Sequence, residues 1–146
     1  MKIEIMQKKH IPSVAEIAAD SLPESWSESA FEKELENPSA TVFVALTDDK
    51  IIGFGGVQIV LDEAYITNVA VDKNFRKAGI GSMILDAIIN HCTNEKCSFV
   101  SLEVRVSNVA AINLYEKYGF ASQGIRKGFY SRPTEDANIM TLFLKD

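Results

Sequence analysis

The chain has 146 residues, 47% of them hydrophobic and 24% charged, and a formal net charge of −5. That length suits a single domain, residues 1–146, with enough apolar material for a core. The acidic balance argues against direct nucleic-acid binding, which wants a basic face, and no apolar run approaches the ~18 residues of a membrane span.

Lys2–Met6 alternates apolar and polar residues and reads as a short strand. Ile11–Ala19 places Val14, Ile17 and Ala18 at helical spacing, with Pro12 tolerated in the first turn. Ser21–Ser25, containing Pro23, reads as a turn. Ser27–Leu35 reads as a second helix, with Ser25 or Ser27 as its N-cap and Pro38 soon after its end. Thr41–Leu46 and Ile51–Val60 form a hairpin about Asp48, Asp49 and Lys50. Glu63–Val71 is a further strand and Ile80–Cys92 the central helix. Phe99–Val104 is a strand, Val109–Tyr118 a helix, and Phe120–Tyr130 and Ala137–Leu144 are closing strands. The order predicts a mixed central sheet with helices on both faces, α/β (α+β) by class, without repeats or linkers. The opening MKIEIMQKKH has no apolar leader and reads as cytoplasmic.

The segment VDKNFRKAGIG, Val71 to Gly81, carries the strongest chemical signal. A β-branched strand runs through a charged turn into two glycines, and a helix begins at once. Helix N-terminal N–H groups carry partial positive charge, and glycine lets a phosphate approach them closely. Arg76 and Lys77 add full charges at the same mouth. The P-loop string is absent, and a Rossmann fingerprint would need a small residue where Ile84 stands. RKAGIG, Arg76 to Gly81, matches the pattern Gln/Arg-x-x-Gly-x-Gly/Ala; a glycine turn capping a core helix would look similar.

NVAAINLYEKYGF, Asn108 to Phe120, is a second signature. Together with RKAGIG and the element order it resembles the GNAT acetyltransferase superfamily over essentially the whole chain. Within that superfamily the chain is most similar to the RimI-type ribosomal-protein-alanine N-acetyltransferases. LDEAYITNVAVD (Leu61 to Asp72), LEVRVSN (Leu102 to Asn108), RKGFY (Arg126 to Tyr130) and Trp26–Ser27 followed by Phe31 carry this likeness. Two departures lie on the acceptor side: Glu24 and Ser25 replace the usual Phe-Pro, and Phe129 with Tyr130 replaces paired tyrosines.

The resemblance implies acetyl-coenzyme A as the acetyl donor, with no metal. It implies a pyrophosphate cradle at Arg76, Lys77, Ala78, Gly79, Ile80, Gly81 and Ser82. The backbone of Val69, Ala70 and Val71 would take the pantetheine arm like an added strand, and an N–H near Val69 would polarise the thioester carbonyl. The implied acceptor is a protein N-terminus, that of the ribosomal protein eighteen of the small subunit. A small-molecule amine, or a non-catalytic acyl-coenzyme A-binding module, would use the same fold. A protein α-amine, with pKa near 7.7–8.0, is already neutral roughly one time in ten at pH 7, so only a modest base is needed.

Glu103 is the candidate base. Its strand puts Ser101, Glu103 and Arg105 on one face, so on pattern alone it is a solvated residue paired with Arg105. The Leu-Glu-Val-Arg likeness instead makes it catalytic, directly or through a water. Tyr115 is the candidate acid for the departing thiolate. On pattern alone it is a core tyrosine on a stripe with Ala111 and Tyr118; the Leu-Tyr likeness makes it catalytic. Asn108 is an N-cap on pattern, and a cofactor contact by resemblance. Trp26 either anchors the core or lines the acceptor groove, and Arg126–Tyr130 is either a solvated edge strand or an acceptor contact. His10 reads as a local cap, His91 as a helix-end residue, and Cys92 and Cys97 as structural thiols with no partner for a zinc set.

Overall fold

The computed structural model describes residues 1–22 and 25–144. Its elements are β1 (Lys2–Ile5), α1 (Ile11–Ser21), α2 (Glu28–Glu36), β2 (Ala40–Thr47), β3 (Lys50–Val60), β4 (Glu63–Val71), α3 (Ile80–Asn94), β5 (Phe99–Arg105), α4 (Val109–Lys117), β6 (Ala121–Tyr130) and β7 (Glu135–Phe143). Every predicted element is present. Two short 3-10 turns, Lys8–His10 and Lys73–Phe75, join them. Helix α1 runs on to Ser21, into the predicted turn, of which Pro23 and Glu24 lie outside the described residues. Ser27 is the N-cap of α2, its hydroxyl accepting the Ala30 N–H at 3.2 Å. Asp48 and Asp49 both have positive φ, the backbone that a tight two-residue hairpin requires.

The sheet has the order β1-β2-β3-β4-β5-β7-β6 and is antiparallel except between β4 and β5. One face carries α3 and α4, with Ile84, Ile88, Val100, Leu102 and Tyr115 in its core. The other carries α1 and α2, with Phe31 edge-on to Phe54 at 5.5 Å. Helix α3 lies hard against β3: a Cβ on Gly55 would stand 2.5 Å from Ile84 Cγ2. That close seat fixes where the N-terminus of α3 emerges at the sheet edge.

Two irregularities in β4 open the middle of the sheet. Its register with β3 passes from Gly56↔Asn68 to Val57↔Ile66, leaving Thr67 as an extra, bulged residue. An unbroken strand would put Ile66 and Ala70 on one face. Here Ile66 packs into the α3/α4 core and Ala70 into the α1/α2 core, because the bulge reverses the alternation. A Cβ on Gly56 would stand 2.7 Å from Thr67 Oγ1, so any larger residue here would displace the Thr67 side chain. On the other side of β4, the parallel ladder with β5 covers only Glu63–Tyr65 against Phe99–Ser101. Beyond it the strands part, and β5 continues with β7 as far as Arg105.

Candidate active site

The parting strands enclose a cleft of about 410 Å³. Its walls are Ile66–Val69 of β4 and Leu102–Arg105 of β5. Ser21, Leu22 and Trp26 close it from the α1/α2 side, and Asn108, Ala111 and Tyr115 of α4 from the other. Among the described residues, no helix is long and apolar enough to cross a membrane.

Glu103 stands on the α1/α2 face of the sheet, since Val100, Leu102 and Val104 alternate into the opposite core. It lines the cleft, but Arg105 is not its partner. Residues two apart on a strand are well separated, and Arg105 is drawn to the β6–β7 turn. There Arg105 Nη1 donates to Glu135 Oε1 and to the Pro133 carbonyl, both at 3.0 Å. Its guanidinium also lies 4.5 Å from the Tyr130 ring centre, which holds Tyr130 at the cleft wall. Hydrogen bonds from the Ser107 side chain and then from Arg105, with a smaller contribution from the Ser107 N–H, keep the Glu135 carboxyl below the usual carboxylate range. Glu103 instead meets Arg126 of β6, Nη1 to Oε1 at 3.5 Å. Arg126 in turn stacks over Phe129, so the RKGFY segment is an edge strand whose charge reaches the cleft.

Tyr115 enters from the opposite face. It is buried in the α3/α4 core against Phe120 and also lines the cleft. Burial, with a smaller contribution from Tyr130, pushes its hydroxyl up to about 12. Asn108 is the N-cap of α4, its Oδ1 accepting the Ala111 N–H at 3.2 Å, and the residue also lines the cleft. Trp26 packs at 5.4 Å from Phe31 and presents its outer side to the cleft.

The segment expected to form the cradle, Arg76–Ser82, follows the far end of β4, beyond Val69, Ala70 and Val71. Gly79 is the N-cap of α3 at φ 80°, and nothing lies within 4 Å of where its Cβ would be. Lys77 also has positive φ, so the turn from Arg76 to Gly79 holds two left-handed residues just before the helix. The first N–H groups of α3, from Ile80, Gly81 and Ser82, have no partner within the helix. Arg76, Lys77 and Ala78 are exposed beside them. Helix α4 braces this turn: Tyr118 donates to the Ser82 carbonyl at 3.0 Å, and Leu114 lies against Gly81. The exposed N-terminus of α3, two cations and an unpaired inner edge of β4 fit an extended ligand with a diphosphate at one end and amides along its arm.

Of the remaining candidates, His10 is a local cap, its Nδ1 accepting the Gln7 N–H at 3.0 Å. His91 lies edge-on to Phe43, outside the cleft. Cys92 and Cys97 are buried thiols, and burial pushes the Cys92 thiol up to about 12, which keeps it unreactive. Sequence reasoning missed Thr67, Asn68 and the anchoring of Arg105. A glycine-rich β3 facing β4 was the only trace of the bulge.

Residues 11–120 match the family described as the acetyltransferase (GNAT) family. A [ribosomal protein bS18]-alanine N-acetyltransferase of Salmonella typhimurium is 35% identical over 96% of this chain and 95% of its own. The crystal structure of the ribosomal-protein-S18-alanine N-acetyltransferase from Escherichia coli superposes with a TM-score of 0.91 at 32% identity, covering 99% of this chain and 94% of that one. That of Ard1 from Thermoplasma volcanium does so at 0.89 and 30%, covering 99% and 98%.

Proposed function

We propose that this chain, which belongs to the acetyltransferase (GNAT) family and is an acetyl-coenzyme A-dependent N-acetyltransferase, acetylates protein N-termini in the cytoplasm, with the N-terminal alanine of ribosomal protein bS18 as its acceptor. The observation that supports the chemistry best is the placement of Glu103 and Tyr115 on opposite faces of one cleft between β4 and β5. An amine entering from the α1/α2 side meets a carboxylate. A leaving group on the α3/α4 side meets a hydroxyl that keeps its proton at neutral pH.

Bound acetyl-coenzyme A supplies the activated thioester. The amides and side chains of Arg76–Ser82 bind its diphosphate, and the backbone of Val69–Val71 orients its arm. Asn108 adds a polar contact at the start of α4. Glu103 takes the proton of the α-ammonium at its carboxylate, directly or through a water. Tyr115 holds at its hydroxyl the proton that the thiolate requires. Trp26, Leu22 and Tyr130 exclude bulk water from the acceptor side.

Thiol release across peptides beginning with Ala, Ser, Met and Lys, with a polyamine beside them, tests this reading. The expected outcome is fastest release with Ala and acetylation confined to the α-amine. Faster release with the polyamine would replace the acceptor, and no release with any amine would leave only an acyl-coenzyme A-binding module.

A further inference from the structure

Thr67 and Asn68 sit at the bulge, and both of their side chains project to the α1/α2 face. A Cβ on Gly56, directed to that face beside Val42, would stand 2.7 Å from Thr67 Oγ1 and 3.1 Å from Asn68 Oδ1. Two consecutive strand residues on one face is something only a bulge allows. Both line the cleft, on the same face as Glu103. The Thr67 hydroxyl donates to Asn68 Oδ1 at 3.2 Å. That bond fixes the amide rotamer and engages its oxygen, leaving the two Nδ2 hydrogens as donors directed away from Thr67. Among the described residues no protein acceptor takes them. The cleft therefore holds one oriented neutral donor beside the candidate base, on the side from which the amine enters.

We propose that Asn68 is a positioning and specificity residue, whose Nδ2 donates to the first carbonyl oxygen of the acceptor. This rests on the reading of the protein as an N-terminal acetyltransferase. Every peptide N-terminus carries a carbonyl one carbon away from the carbon that bears the amine. A lysine ε-amine or a polyamine has none there. Held by that oxygen, the α-amine is turned towards Glu103. A simple alkylamine enters without this hold and leaves the amide unsatisfied, so the bulge selects α-amino carbonyl acceptors over plain amines. Gly56 and Thr67 serve the same end indirectly: one gives the pair room and the other sets its rotamer.

The test compares two acceptors, a peptide beginning with Ala and its analogue with an alkene in place of the first peptide bond, on the wild type and on Asn68→Ala. Wild type should favour the peptide in kcat/KM by roughly tenfold, one oriented hydrogen bond's worth. In the Asn68→Ala enzyme the peptide-to-alkene ratio should fall about tenfold from that of wild type, with acetyl-coenzyme A affinity by calorimetry unchanged. Any effect of the alkene on amine basicity is common to both enzymes and cancels in this cycle. Should Asn68→Ala fail to fold, Asn68→Asp keeps the shape, removes the N–H donors and sets an anion against the carbonyl oxygen, so the ratio should fall at least as far. A peptide-to-alkene ratio equal to that of wild type in the variant overturns the role of Asn68 while leaving the acetyltransferase reading intact. A wild type that acetylates no peptide α-amine overturns both.

Discussion

Arg126 on the edge strand β6 reaches over β7 to Glu103 on β5, its Nη1 3.5 Å from the carboxylate Oε1. The cation and the candidate base thus face each other at the cleft, where on the proposed reading the acceptor's ammonium would arrive. If Glu103 takes the acceptor's proton, Glu103→Gln should slow transfer about a hundredfold near pH 7, the lower end of what a positioned base contributes. The loss should be largest at low pH, where most α-amine is protonated, and should shrink as the solution itself deprotonates the amine above pH 8. A pH–rate profile with unchanged acetyl-coenzyme A affinity checks this; a deficit independent of pH would remove Glu103 as the base.

Arg126 should act on the acceptor rather than on stability. The pair is 53% and 34% exposed, so breaking it should cost less than about 1 kcal/mol. In Arg126→Gln the incoming ammonium no longer competes with a fixed cation. The KM for the Ala-initiated peptide should fall about two- to threefold at low ionic strength, and the difference should vanish at high salt as screening takes over. Steady-state kinetics at two salt concentrations decides the matter, and a salt-independent change would point to the Phe129 stack instead.

Tyr115 gives a prediction on the alkaline side. Burial raises its hydroxyl to about 12, so the protonated form is complete below that value and is lost only as pH rises through it. Turnover by the wild type should therefore not decline between pH 8 and 10, whereas an ordinary tyrosine near 10 would already be half ionised at the top of that range. Tyr115→Phe should transfer acetyl about a hundredfold more slowly and still bind acetyl-coenzyme A. An alkaline fall with a midpoint near 10 that disappears in Tyr115→Phe would contradict the assigned environment.

Gly79 separates cradle geometry from space. Its φ of 80° is left-handed, and nothing stands within 4 Å of an added Cβ, so Gly79→Ala meets backbone strain of roughly 1–2 kcal/mol and no clash. The fold should persist while the turn relaxes, weakening acetyl-coenzyme A about tenfold by calorimetry. Gly81→Ala, whose Cβ would meet only the movable end of Leu114 at 3.3 Å, should weaken it less.

Local chemistry made much of this molecule readable before its coordinates. The hairpin at Asp48–Asp49, the helix start at Gly79–Ile80 and the bounds of β4 follow from residues adjacent in the chain. What escaped depends on partners distant in sequence. The bulge at Thr67 is defined by counting β4 against β3, and nothing within Glu63–Val71 announces it. The partner of Glu103 was misjudged because Arg105, two residues away, is claimed by Glu135 and the carbonyls of a turn some thirty positions downstream. Tyr115 and Asn108 each looked like a choice between packing and chemistry. In the folded chain, α4 caps itself with the same asparagine and packs with the same tyrosine that it turns to the cleft.

Because Glu103 and Tyr115 sit on opposite sides of the sheet, an enzyme working as proposed would have separate ways out for its two products. The acetylated amine would withdraw past α1 and α2 and the coenzyme along α3, so that neither departure would have to wait for the other.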